Sequence, residues 1–384
     1  MLSILRNEKF RSILYQVITI ILVVLFFVYI AQNTAHNIEQ RGIKTGFSFL
    51  NATAGFDITE SPIPFTAQST HLKVFEVGLL NTLIVSFWGI VFSTILGLII
   101  GVWRLSSNWL INRIAAAYVE IFRNIPLLLQ ILFWYNVVLA TLPSARESIN
   151  LFDAIFINNR GFFMPEFLFE HGSWLIGVSI IVALIAIFFL TRWAKKHQEE
   201  TGKQFPLISS SLVIFISLPL ITYFLVGKPI VAVYPELHGF NFRGGKTFTP
   251  EFLALLFALS IYTATFIAEA VRSGIEAVPK GQKEAAISLG LTPYQQLRLV
   301  ILPQAVRIAI PSIINQYLNL IKNSSLAAAI GYPELVTIFA GTSLNQTGQA
   351  LEILFITMVT YLIISLFVSL ILNWFNAKMK IKER

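Results

Sequence analysis

Long apolar stretches separated by short polar segments dominate the hydropathy pattern of this 384-residue chain. A helix needs about 20 apolar residues to cross the roughly 30 Å hydrocarbon core of a bilayer, because each residue adds about 1.5 Å. The pattern therefore predicts about eight transmembrane helices, at residues 13–31, 78–103, 114–140, 174–191, 207–227, 252–272, 304–330 and 352–375.

Composition places these stretches in a membrane. Hydrophobic residues make up 55% of the chain and charged residues only 12%, whereas a soluble domain is about 25% charged. The first apolar stretch is too long for a signal peptide and lacks a convincing small-residue cleavage site, so we interpret it as an uncleaved anchor. The expected fold class is an all-α polytopic membrane protein.

The distribution of basic residues predicts the orientation. The net charge of +8 is not gathered into one patch, so nucleic-acid binding is not expected. Lys and Arg are concentrated on the side that holds both termini and residues 273–303, and the positive-inside rule places that side in the cytoplasm. On the opposite side, the long segments 32–76 and 141–173 are expected to form interfacial segments or small packed caps, and 228–249 forms a third outer loop.

Candidate chemistry is sparse. The chain has no cysteine, which excludes thiolate ligands and a cysteine nucleophile. Its five histidines are scattered without ligand spacing, so neither a metal site nor another cofactor is expected. Gly244-Gly245-Lys246-Thr247 resembles the end of a phosphate-binding loop, but Phe240 stands where the motif needs its first glycine. No ATP site is predicted within the chain.

A polar island between two apolar stretches carries clear helix signals. The turn at 279–281 predicts a short helix from Gln282 to Leu289, and Gly290 can adopt the left-handed conformation that ends it. Thr292, followed by Pro293 and Gln295, predicts a capped second helix. A helix of about eight residues is marginal in water, so this one needs a partner. Its expected exposed face is small and apolar, and consists of Ala285, Ala286 and Leu289.

This island also carries a family resemblance. Glu284-Ala285-Ala286, Gly290 and Val300-Ile301-Leu302-Pro303 resemble the EAA loop of ATP-binding-cassette importer permeases. Other segments are similar to the polar amino-acid uptake branch of that family: 80–83, 118–128, 267–275 and 322–326. The resemblance covers residues 78–140 and 250–375.

The resemblance implies a fold, a function and partners. It implies a type I importer permease core, without an ATP site of its own, in the bacterial cytoplasmic membrane. The partners implied are ATPase subunits of the ATP-binding-cassette type, a second permease subunit (paralogue or self) and an extracytoplasmic amino-acid-binding protein, with membrane lipid around the helices. The coupling residues implied are Glu284, Ala285, Ala286, Leu289, Gly290 and Pro303.

Two additions distinguish the chain from the usual core of about five spans, and they resemble the longer permease of general L-amino-acid importers. The expected organisation is an N-terminal segment and extra helix at 1–31, an outer loop at 32–76, a first core part at 77–140, an insertion with two spans at 141–249 and a second core part at 250–384. The coupling loop occupies residues 273–303 of that last part.

Polar residues within the predicted spans suggest a pathway. Asn315, Asn319, Lys322 and Asn323 share one face of the seventh span, and an intramembrane charge usually marks a pathway or a partner. The alternative is that the stripe packs against a neighbouring helix while Lys322 reaches outward.

Two acid–base pairs and one glycine pair have helical spacing. Glu269 with Arg272, and Glu120 with Arg123, are three residues apart, which permits an ion pair within one helix. Both pairs are expected near cytoplasmic helix ends, in structural or gating roles. Gly97 and Gly101 have the spacing of close helix packing in membranes.

The resulting hypothesis is a permease that works by alternating access and is driven by a separate ATPase. An ion-coupled secondary amino-acid transporter is the alternative, although neither mid-membrane coupling carboxylates nor an inverted repeat is evident. A channel would not need a cytoplasmic docking helix. A membrane enzyme would need converging catalytic groups, which the sequence does not offer.

Overall fold

A computed structural model describes residues 8–42 and 45–379. The first seven residues of the predicted 1–31 segment and the last five of the 250–384 segment lie outside the described residues. The helices are α1 Glu8–Arg41, α2 His71–Arg104, α3 Trp109–Asn124, α4 Leu127–Phe133, α5 Trp174–Thr201, α6 Leu207–Leu225, α7 Pro250–Glu276, α8 Lys280–Ser288, α9 Pro293–Gln295, α10 Leu302–Asn323, α11 Leu344–Thr347 and α12 Ala350–Met379.

Short strands and irregular turns complete the described chain. The strands are β1 Ile149–Leu151, β2 Ile155–Asn158, β3 Gly161–Met164, β4 Glu166–Phe169, β5 Ile230–Val233, β6 Glu236–His238, β7 Asn241–Arg243 and β8 Lys246–Phe248. Wider π-helical turns occur at Trp134–Leu139, Gln296–Ile301 and Val336–Ser343.

The described residues contain seven helical segments long and apolar enough to cross a membrane, and an eighth if one bent pair counts as a single span. This confirms an all-α polytopic membrane protein with about eight spans. The predicted 114–140 span is not straight, because α3 and α4 meet at an angle of 101°.

Proline explains this break. Ile125 is extended (φ −89°, ψ 128°), because the residue before a proline is disfavoured in the helical region. Pro126 also lacks the N–H that would continue the helix. The amide of Gln130 donates hydrogen bonds to the carbonyl oxygens of Phe122 (2.8 Å) and Ile125 (3.0 Å). Backbone acceptors freed by the break are thereby satisfied within the protein.

The chain forms two compact units, one made of residues up to Ile131 together with those from Leu255 onwards, and one from Leu132 to Ala254.

In the first unit, α2 packs closely against α7. A methyl group built on Gly97 would stand 2.6 Å from Cβ of Ile267, and one on Gly101 would stand 2.8 Å from Cβ of Val271. The close packing predicted for this glycine pair is confirmed.

A buried carboxylate organises another part of the first unit. The side chain of Glu334 is fully buried. It accepts hydrogen bonds from the backbone N–H groups of Val336 (2.9 Å) and Thr337 (2.8 Å), from the Thr337 hydroxyl (2.9 Å) and from the Tyr361 hydroxyl (3.0 Å). Glu334 therefore caps the π-helical turn Val336–Ser343 and ties it to α12. Sequence analysis did not identify this residue.

The second unit combines a helical hairpin with β structure. α5 and α6 pack against each other, and β4 pairs antiparallel with β5 at one end of the hairpin. A four-stranded antiparallel sheet has the order β1–β2–β3–β8. Phe242 of β7 packs in a small core against this sheet. Its ring lies 4.6 Å from that of Phe156 and 4.9 Å from that of Phe163. Of the two possibilities expected for the 141–173 segment, the structure therefore has a packed cap, which strands from 228–249 complete.

Gly97→Ala should destabilise the protein by about 1–3 kcal/mol, because the added methyl group overpacks the α2–α7 contact. Gly177→Ala is the matched control, since Gly177 also lies in a helix but has nothing within 4 Å of an added methyl group. The control should be neutral or more stable, because alanine favours helix over glycine. Unfolding in mixed detergent micelles measures both, and equal stability of the two variants would refute close packing at Gly97.

Candidate functional site

The predicted short helix is present in the polar loop. α8 runs from Lys280 to Ser288, and Gly290 follows in the left-handed conformation with φ +73°. The N–H of Gly290 donates to the carbonyl oxygen of Ile287 (2.9 Å), and that of Leu291 donates to Ala286 (3.2 Å). These bonds close the last turn of α8 and confirm the helix and its stop.

The second predicted cap is also confirmed. The N–H of Gln295 donates to the hydroxyl of Thr292 (3.4 Å), and the N–H of Thr292 donates to Oε1 of Gln295 (2.9 Å). This reciprocal pair is a capping box. The chain continues through the π-helical turn Gln296–Ile301 into α10, where Pro303 occupies the first turn.

The exposed face of α8 differs from the prediction. Ala286 is only 2% exposed, because α8 packs back onto the turn Gln296–Ile301 and one side of so short a helix must face its own chain. Ala285 is exposed, as expected. Leu289 is 79% exposed, and Ile287, which sequence analysis did not name, is 56% exposed. The exposed apolar surface of α8 and its C-terminal end therefore consists of Ala285, Ile287 and Leu289.

One of the two predicted ion pairs forms. Nε of Arg272 lies 3.0 Å from Oε1 of Glu269, and Arg272 also contacts Glu276. Arg104, the last residue of α2, lies 3.7 Å from the same Glu269 carboxylate. The cluster therefore links the ends of α2 and α7.

The other pairing was wrong. Within the described residues, no nitrogen of Arg123 lies within 4.0 Å of a carboxylate oxygen of Glu120, so the two form no ion pair. The guanidinium of Arg123 instead lies over the ring of Phe266, 5.4 Å from its centre. A spacing of three residues permits a pair but does not require one, and here the aromatic face of α7 competes for the arginine.

A cavity of about 310 Å³ lies between α7 and α10. α7 contributes two hydroxyl groups and two aromatic rings, and α10 contributes three amides. The lining residues are Tyr262, Thr263, Phe266, Gln316, Asn319 and Asn323. None carries a charge, so the cavity offers hydrogen-bond donors and acceptors together with two aromatic faces.

The cavity includes part of the predicted polar stripe. Asn319 and Asn323 line it, whereas Asn315 and Lys322 do not; both of these are exposed. With about 100° of rotation per residue, Gln316, Asn319 and Asn323 lie within about 60° of one another, and Asn315 and Lys322 lie a further 40–60° or so around α10.

Four cavity residues were not identified from the sequence. Gln316 could have been found, because it lies three residues before Asn319 and seven before Asn323, on one helical face. Tyr262, Thr263 and Phe266 belong to an apolar stretch with no polar periodicity, so only the packing of α7 beside α10 reveals them. In the part of the chain that the structure describes, no group of three or more His, Asp or Glu side chains could hold a metal ion.

The structure combines membrane-spanning helices, an exposed loop with a short helix, and a polar cavity between two helices. These features are those of a membrane transport component. A family model described as "binding-protein-dependent transport system inner membrane component" matches residues 204–381. The chain is 47% identical over 382 residues to the General L-amino acid transport system permease protein AapQ of Rhizobium johnstonii, covering 100% of this chain and 95% of that protein.

Other proteins are also similar. The Glutamate/glutamine/aspartate/asparagine transport system permease protein BztB of Rhodobacter capsulatus is 40% identical over 409 residues, covering 98% of this chain and 96% of that protein. A crystal structure of an amino acid ABC transporter with histidines is 22% identical, with a TM-score of 0.48, over 80% of this chain and 95% of that one. The chain belongs to the family of binding-protein-dependent transport permeases.

Proposed function

We propose that this chain is the permease subunit of an importer that moves L-amino acids inward at the expense of ATP hydrolysed by a separate subunit. The observation that carries the proposal is the match along essentially the whole chain to a general L-amino-acid permease. The match includes both additions to the core, residues 1–31 and 141–249, and thus supports the division into segments expected from the sequence.

The coupling step is assigned to the polar loop at 273–303. Its surface offers Ala285, Ile287 and Leu289 along and just after α8, whose C-terminal end is closed at Gly290 before the Thr292 capping box starts the next helix. A rigid apolar helix of this kind suits a groove on a partner that must transmit movement without deforming. We assign that groove to the ATPase subunit, while Glu284 and Pro303 flank the docking residues.

The rest of the assembly follows from the family. Its description names a binding-protein-dependent system of the inner membrane, so the proposed partners are an extracytoplasmic amino-acid-binding protein and a second permease subunit, paralogous or identical. The distribution of basic residues supports a cytoplasmic location for both termini and for the coupling loop. In that orientation the β-structured cap of the second unit lies outside.

The cavity between α7 and α10 is assigned to the translocation pathway. A zwitterionic amino acid loses hydration when it enters a membrane protein, so its ammonium and carboxylate groups need replacement partners. The hydroxyl and amide groups of Tyr262, Thr263, Gln316, Asn319 and Asn323 provide them without selecting for side-chain charge. This neutral lining suits a permease for many amino acids.

The ion-coupled alternative receives less support. Coupling to a proton or sodium ion would call for a carboxylate facing the pathway, and the residues that line this cavity carry none. Glu269, which lies one turn from the cavity residue Phe266, is already held by Arg272 and Arg104.

Leu289→Asp should uncouple transport from ATP hydrolysis. Burying a leucine contributes about 1.5–3 kcal/mol, so its loss should weaken ATPase docking about tenfold or more. Leu289→Met, which keeps the apolar surface, should be close to wild type, and so should Leu299→Asp, which is 61% exposed but lies in the turn Gln296–Ile301 rather than at the end of α8. Substrate-stimulated ATP hydrolysis by the purified complex measures the effect; undiminished stimulation in Leu289→Asp would contradict the assigned docking face.

Asn319→Leu should slow uptake of L-amino acids roughly 5- to 150-fold, because an unreplaced hydrogen bond raises the transport barrier by about 1–3 kcal/mol. Asn315→Leu is the matched control, since it makes the same change one turn earlier, outside the cavity. Uptake into proteoliposomes that contain the complete transporter, normalised to folded protein, compares the two. Normal uptake by Asn319→Leu would leave packing as the role of this face.

A further inference from the structure

We propose that Arg123 binds the carboxylate group of the transported amino acid and is the cationic part of a site whose remaining walls are neutral. The inference rests on the proposed function and adds a specificity-determining residue to it. It depends on the position that α3 gives Arg123, on the absence of an acidic side chain paired with Arg123, and on the absence of a charged residue from the cavity lining.

The packing of α3 fixes the position of Arg123. Val119, one turn earlier, is 2% exposed in a cluster with Ile100 and Ala268. The hydroxyl of Tyr118 donates a 2.8 Å hydrogen bond to the carbonyl oxygen of Ile261 in α7. With α3 held against α7 in this way, the guanidinium of Arg123 lies over Phe266, whose ring also lines the cavity. The guanidinium and the cavity therefore share Phe266 as a neighbour.

Among the described residues, no acidic side chain pairs with Arg123. Among the described residues it makes no hydrogen bond or ion pair, and Glu120 does not reach it. Glu269 is within its electrostatic range, but that carboxylate is already bonded to Arg272 and lies 3.7 Å from Arg104. Glu269 is thus already shared by Arg272 and Arg104 and is not free to pair with Arg123.

A cation beside the cavity adds to what its neutral lining offers a carboxylate. Aromatic faces and amide oxygens attract an ammonium group, and Tyr262, Phe266 and the three amides provide both. A charge-assisted bond holds a carboxylate more strongly than a neutral donor does, and the planar guanidinium can donate two parallel hydrogen bonds to it. The amino acid would then lie with its carboxylate towards Arg123 and its ammonium towards the amides of α10.

A purely structural role is the competing explanation. Arg123 is in the last turn of α3, where a cation also stabilises the helix dipole, and its stacking on Phe266 could serve packing alone. A structural defect would weaken binding of all ligands alike. Loss of a carboxylate partner would weaken binding of carboxylates only, so the ratio of two affinities separates the explanations.

The test uses the purified complex of permease and ATPase subunits without the binding protein, so that affinity reports the permease. Calorimetry compares L-glutamine with L-glutaminamide, which lacks the carboxylate. The wild type should prefer L-glutamine about 10- to 100-fold, as a hydrogen bond to a charged group implies. Arg123→Gln should reduce the preference to about threefold or less, and Arg123→Lys should retain part of it. Arg113→Gln, an exposed arginine of the same helix, should leave it unchanged.

Two results would overturn the proposal: a wild type without preference, or a preference retained in Arg123→Gln. An equal loss in Lys322→Gln and none in Arg123→Gln would assign the carboxylate to Lys322 instead. Uptake of labelled L-glutamine by wild-type proteoliposomes is measured first, with the complete transporter. Absence of uptake would count against the proposed function, whereas normal uptake with an unaffected Arg123→Gln would refute only the role of Arg123.

Discussion

Close contact between α2 and α7 is the constraint on which the rest of the first unit depends. Gly97 and Gly101 let α2 approach so near that an added methyl group would meet Ile267 or Val271 below 3 Å. In a bilayer the lipid tails are as apolar as the helices, so such packing must supply much of the association. The residues next to the contact, Phe266 and Glu269, are the ones that the cavity and the charge cluster use.

Satisfaction of polar backbone groups in an apolar surrounding sets the second constraint. Where Pro126 breaks the helix, the side chain of Gln130 takes over two carbonyl groups. At the start of the π-helical turn Val336–Ser343, Glu334 accepts hydrogen bonds from two backbone N–H groups and two hydroxyl groups. Irregular backbone is tolerated at such places because protein groups replace water. These two side chains allow the breaks that separate rigid helical pieces.

Much of this architecture can be predicted from local signals. Apolar length alone gives the spans, and the turn and capping residues of the 279–295 segment give α8, Gly290 and the Thr292 capping box, because these depend on neighbours in sequence. The glycine spacing in α2 also indicates its packing face. Such features need no knowledge of which helices meet.

Features that depend on which helices meet could not be predicted. Ala286 was expected on the exposed face of α8. The sequence of a nine-residue helix does not show which of its faces the following turn Gln296–Ile301 will cover. Arg123 was paired with Glu120 because the competing ring of Phe266 lies far away in sequence. The α7 side of the cavity has no polar periodicity, and the β-structured cap joins strands from both ends of the 141–249 insertion.

The central claim, that the α7–α10 cavity lies on the path of the substrate, can be measured directly in a chain without cysteine. Asn319→Cys and the buried Ile314→Cys on the same helix are treated with a small water-soluble thiol reagent in proteoliposomes that contain the complete transporter. The account predicts that the Asn319 site reacts, that an excess of imported amino acid slows its reaction, and that the Ile314 site stays unreactive. A reaction rate at the Asn319 site that does not change with substrate would contradict it.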